Sequence, residues 1–163
     1  MLKKLLVLIL VFILGALSTQ IYAGFGFEQP APLIIGEPGP EEQASPYDWV
    51  KESQIKVYND RIILEIPNAV WAAFTNTNSM DPVIDEFANA IEIIPKSAED
   101  IHVGDIVSYQ SDYADGSIIH RIVFEGEDAQ GTYFLLKGDN NHGVDPGKIR
   151  FEQIKRVLVA VIY

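Results

Sequence analysis

Between Lys4 and Glu28 the chain carries no charged side chain, and Leu5–Leu14 is an unbroken apolar run. A stretch of this kind has no place in the core of a small soluble domain. As a helix, the 23 residues from Leu5 to Phe27 reach roughly 35 Å, enough to cross a hydrocarbon layer about 30 Å thick. Lys3 and Lys4 precede it, so the expected orientation is single-pass, with the N-terminus cytoplasmic and everything after Phe27 on the extracytoplasmic side. The competing reading is a cleavable signal peptide ending at Ala23–Gly24. Ile21 and Tyr22 do not complete a small-x-small pattern before that bond, which favours a retained anchor. Both readings export the rest of the chain.

The sequence divides into an anchor over 1–27, a linker over 28–47 and a β-rich domain over 48–163. The linker holds Pro30, Pro32, Pro38, Pro40 and Pro46, too many for a regular helix, and reads as a semi-rigid spacer. Beyond it the chain alternates in short runs. Ile55–Tyr58 and Arg61–Ile66 flank the turn Asn59–Asp60 as a hairpin. Ala69–Phe74, Ile91–Ile94, Ile106–Gln110, Ser117–Glu125, Thr132–Lys137 and Arg156–Tyr163 follow as strands. Val83–Ala90 and Phe151–Lys155 are expected to supply a turn or two of helix each. The fold class is mainly β.

Charge and cysteine content exclude several functions. Asp and Glu total 23 against 12 Lys and Arg, and without Lys3 and Lys4 the balance is 10 − 23 = −13. A nucleic-acid binder needs a clustered basic surface instead. The absence of cysteine removes disulfide scaffolds, thiolate zinc sites and cysteine nucleophiles.

Three places carry polar residues that a plain β domain would not need. In Ser79-Met80-Asp81-Pro82 a serine ends an apolar strand and proline fixes the chain beyond it, which suits a nucleophile as well as an ordinary turn. In Ile118–Val123, period-two alternation puts His120 on one face with Ile118, Ile122 and Phe124, and Arg121 on the other. A histidine there is either a hydrogen-bonded core residue or a general base. In Lys137-Gly138-Asp139-Asn140-Asn141, followed by Asp145-Pro146-Gly147, two turns bring two acids. A calcium loop fails here, because the required glycine falls on Val144 and the bidentate glutamate on Arg150. Serine, then histidine, then acid is the inventory of a Ser–His–Asp hydrolase. His102 and His142 fit the role of base less well, one in a surface-like stretch and the other beside the acids.

These motifs, with Gly104-Asp105-Ile106-Val107, resemble type I signal peptidases of the Ser–His kind found in archaea and in the endoplasmic-reticulum complex. The resemblance covers about Asn76 to Tyr163 and the N-terminal anchor. It implies a signal-peptidase-like β catalytic domain with Ser79 as nucleophile, His120 as general base, Asp145 orienting the histidine and Asp139 as a second, supporting acid. The Ser79 backbone N–H and the Thr77 hydroxyl would face the oxyanion. It implies cleavage of exported preproteins after a signal peptide, with an extended substrate added to a sheet edge beside Ser79. The partners would be those preproteins, the lipid bilayer and the translocation machinery, with no cofactor and no metal. About 50 residues separate the anchor from Ser79, more than the family pattern has, and Val83–Ile94 lacks its usual basic or glycine-containing turn. An anchored, non-catalytic β domain that binds extended peptides or a partner is the alternative. A self-cleaving repressor is set aside, because it would need a Ser–Lys dyad and a DNA-binding helix-turn-helix.

Overall fold

Eight strands organise residues 42–163, the part of the chain that the computed structural model describes. They are β1 (Ile55–Val57), β2 (Ile62–Leu64), β3 (Val70–Ala73), β4 (Asn89–Ile93), β5 (Ile106–Gln110), β6 (Ser117–Asp128), β7 (Gly131–Lys137) and β8 (Ile154–Ile162). The fold is mainly β, as expected. The expected anchor and most of the linker lie outside the described residues, among which no helix is long and apolar enough to cross a membrane. The described residues form one compact unit, Glu42–Tyr163. Buried Asp105 accepts bonds from the Tyr47 N–H at 2.8 Å and the Trp49 indole at 3.0 Å, and Arg121 reaches the Ala44 carbonyl at 3.2 Å. These bonds hold the end of the linker against the domain.

β1 and β2 form the expected hairpin, with Ile55 opposite Leu64 and Val57 opposite Ile62. Directly opposed residues share a face, so one face of this small sheet is entirely aliphatic, and all four side chains are exposed. The other six strands form one antiparallel sheet in the order β3-β4-β8-β5-β6-β7. β5 lies in its interior between β6 and β8, and its residues are buried on both faces from Ile106 to Ser108 and on to Tyr109. Each face of the sheet carries its own core. Val107, Tyr109, Ile122, Phe134, Leu136 and Val157 pack on one side, and Met80, Ile84, Ala90, Ile106 and Leu158 on the other. Fully burying a large apolar side chain contributes about 1.5–3 kcal/mol, so these clusters supply most of the drive for folding.

Two local expectations need correction. Val83–Ala90 forms turns and no helix: the Val83 and Ile84 N–H groups both bond the Met80 carbonyl, at 2.9 and 3.0 Å, and β4 begins at Asn89. The Asp85 carboxylate takes the Glu86 N–H at 2.7 Å, a local bond that competes with a helical ladder. Phe124 does not share the His120 face. A bulge between Ile122 and Phe124 leaves Val123 as the extra residue, Ile122 opposite Leu136 and Phe124 opposite Leu135. One inserted residue moves every later side chain to the other face. The expected turn at Phe151–Lys155 is present as a 3-10 helix over Phe151–Gln153.

Candidate active site

The turn carrying Ser79 is assembled from both sides. Asn78 adopts a left-handed backbone with φ 58°, a conformation open to Asn among few residues other than glycine, and the Asp81–Pro82 peptide is cis. Met80, buried in the second core, anchors the turn from below. The loop after β7 clamps it from the side. The Asn140 N–H bonds the Ser79 carbonyl at 3.0 Å, its side-chain amide bonds the Asn78 carbonyl at 2.9 Å, and the Asp139 N–H meets Met80 Sδ at 3.4 Å. Gly138 permits this approach, since a Cβ there would stand 2.5 Å from the Ser79 carbonyl oxygen. The Lys-Gly-Asp-Asn motif is therefore the brace of the serine turn.

Asp139 contributes through Arg121. Its carboxylate takes the Arg121 guanidinium in a two-pronged pair at 2.8 and 2.7 Å, both side chains are nearly buried, and Arg121 also donates to the Gly104 carbonyl at 2.9 Å. A bidentate pair of this kind fixes geometry as well as charge. Asp139 makes no contact with His120 and supports the site from the opposite face of β6.

His120 and Asp145 meet directly. His120 Nδ1 lies 2.6 Å from Asp145 Oδ2, with both side chains mostly buried. Asp145 is positioned by its own N–H, which bonds the Leu136 carbonyl on the outer edge of β7 at 2.7 Å. The Tyr109 hydroxyl donates to the same Asp145 oxygen at 2.8 Å, and its ring lies 6.4 Å from the imidazole. Burial and then the carboxylate bond push the Tyr109 hydroxyl well above the ordinary tyrosine range, so it stays a proton donor at every working pH. Among the described residues no bond engages His120 Nε2, and no fully buried side-chain nitrogen or oxygen lacks a partner. Nε2 is thus open to an incoming group.

Ser79, Thr77 and His120 line one groove of about 640 Å³, together with Ala72 and Phe74 of the β3 region. The Ser79 hydroxyl is within 3.2 Å of the Thr77 hydroxyl and makes no bond to His120. The Ser79 N–H bonds no acceptor among the described residues. All five residues expected from the sequence are accounted for: Ser79, Thr77 and His120 share the groove, Asp145 stands behind His120, and Asp139 braces the scaffold. His102 stacks on Tyr47 at 4.2 Å, and its Nδ1 lies 3.0 Å from the Asp100 carbonyl, away from the groove's lining.

Two groups at the site went unread in the sequence. Tyr109 looks like one more apolar strand residue in Ile-Val-Ser-Tyr, and only its distance to Asp145 reveals it. Glu92, in Ile-Glu-Ile-Ile, has the spacing of a solvent-facing strand position, yet it is 1% exposed. Its carboxylate accepts the Ser108 hydroxyl, stands 3.8 Å from the Arg156 guanidinium, and makes one end of the groove polar. No protein-family model, curated protein or solved structure matches the chain.

Proposed function

We propose that the protein is a membrane-anchored serine endopeptidase that removes signal peptides from exported preproteins, built on a signal-peptidase-like β domain. The observation that carries this reading is the 2.6 Å pair between His120 Nδ1 and Asp145, with Nε2 left open in a groove that also holds Ser79. In the proposed cycle Ser79 Oγ attacks the carbonyl carbon of the scissile bond while His120 Nε2 takes its proton. Asp145 holds the ring by Nδ1–H and stabilises the imidazolium. The Ser79 N–H and the Thr77 hydroxyl donate to the oxyanion. The imidazolium then protonates the leaving amine, and a water deprotonated by His120 hydrolyses the acyl-serine.

Among the described residues β3 is an outer strand of the sheet, paired with β4 alone, and this suits addition of an extended peptide. The uncharged Leu5–Phe27 stretch supports a membrane location.

A second reading has one observation in its favour: the Ser79 hydroxyl bonds Thr77 and not His120. On that reading the groove holds an extended peptide without cutting it. Hydrogen bonds of a catalytic site often tighten only when substrate is bound, so the peptidase reading is preferred. The deciding experiment incubates the full-length protein, in detergent or membranes, with a precursor whose signal peptide ends in Ala-x-Ala. Cleavage after the final alanine, mapped by mass spectrometry and lost in Ser79→Ala, is the expected result. Binding of the precursor without cleavage by the folded parent would establish the second reading.

A further inference from the structure

A single oxygen, Asp145 Oδ2, receives both His120 Nδ1 at 2.6 Å and the Tyr109 hydroxyl at 2.8 Å. Tyr109 itself is fully buried in the first core and held on β5 opposite Ile118. Its hydroxyl therefore has a fixed origin, set by the most enclosed strand of the sheet, while Asp145 sits in a loop. We propose that Tyr109 is a positioning residue: its hydroxyl pins Asp145 Oδ2 against His120 and tunes how strongly that carboxylate holds the imidazolium. The proposal rests on the assignment of His120 as general base.

The hydroxyl acts on the carboxylate in two ways. A hydroxyl that donates to a carboxylate draws charge from the accepting oxygen, leaving less for a second donor. Without the hydroxyl, Oδ2 keeps more of its charge for the Nδ1 donor. The loop carboxylate also loses its fixed partner and orients the ring less well. Among the described residues, the charged groups that line the groove with His120 are Glu92 of β4, Asp115 in the turn before β6 and Arg156 of β8. On the Asp145 side, Tyr109 is the one side-chain donor to the carboxylate besides His120 among the described residues.

The test is a Tyr109→Phe variant of the full chain, with the three histidine rings followed by NMR across pH and His120 assigned from its missing signal in His120→Gln. The expected result is a His120 titration that no longer superposes on the parent's, with kcat down about 3- to 10-fold and the acid limb of kcat/KM moved with it. In an Asp145→Asn background, Tyr109→Phe should produce no further displacement, because the shared acceptor has lost its charge. A folded Tyr109→Phe protein whose His120 titration superposes on the parent overturns the proposal. Should that variant fail to fold, 3-fluorotyrosine at position 109 is a stronger donor and should displace the His120 midpoint from the parent's. No displacement there would equally overturn it. The titration needs no substrate, so a parent that cuts no precursor defeats the peptidase reading while the coupling between Tyr109 and His120 is still decided.

Discussion

At the scale of single residues, charge is placed where a specific partner meets it. Asp128 is the clearest case outside the groove. It takes Lys148 at 2.6 Å, Arg150 at 2.8 Å and the Gln130 N–H at 2.9 Å, and Lys148 first among them holds its carboxyl well below the usual carboxylate range. A carboxyl whose folded value is depressed adds stability that is present above its unfolded value, about 3.9, and is lost as pH falls through the folded one. Asp128→Asn should therefore be less stable than the parent at neutral pH, and the two should converge in strong acid. Denaturant titrations over a pH series would show it, whereas a constant gap at every pH would contradict the electrostatic origin. The proposed catalytic set is more legible than this cluster. Ser79, His120 and Asp145 announce themselves as polar residues in apolar or turn contexts. Tyr109 and Glu92 do not, because an aromatic on a strand and an acid between isoleucines have ordinary explanations until the partners across the sheet are known.

At the scale of elements, strands were readable and their local irregularities were not. The runs that became β5, β6 and β7 are marked by alternation between turn-forming residues. The bulge at Val123 has no signature in Ile-Val-Phe, and it reverses the face of Phe124. The turns at 83–88 carry apolar residues at spacings that suit a helix, but the Asp85 side chain and the contacts of Met80 and Ile84 decide otherwise. The brace after β7 makes the strongest prediction at this scale. Gly138→Ala places a methyl 2.5 Å from the Ser79 carbonyl oxygen and 2.7 Å from the Asn141 amide. Relief requires the loop or the serine turn to move, at a cost of about 1–3 kcal/mol typical of overpacking. Activity should fall further than that loss of stability explains, because the displaced group is the backbone of Ser79, the proposed nucleophile. Equal stability and full activity would show that the brace is not needed.

At the scale of the whole molecule, the apolar N-terminal stretch, the proline-rich spacer and the acidic domain form a consistent order for an enzyme that meets substrates outside the membrane. A net charge of −13 beyond Lys4 repels anionic lipid head groups. The central claim is narrower than that arrangement: Ser79 is a nucleophile and His120 its base. Acid-quenching the full-length protein during turnover of an Ala-x-Ala nitrophenyl ester, then mapping the digest by mass spectrometry, tests it most directly. The account predicts an acyl group on Ser79 in the parent and none on that residue in a folded His120→Ala variant. A parent that hydrolyses the ester with Ser79 unmodified, or a His120→Ala protein acylated there as fast as the parent, would contradict it.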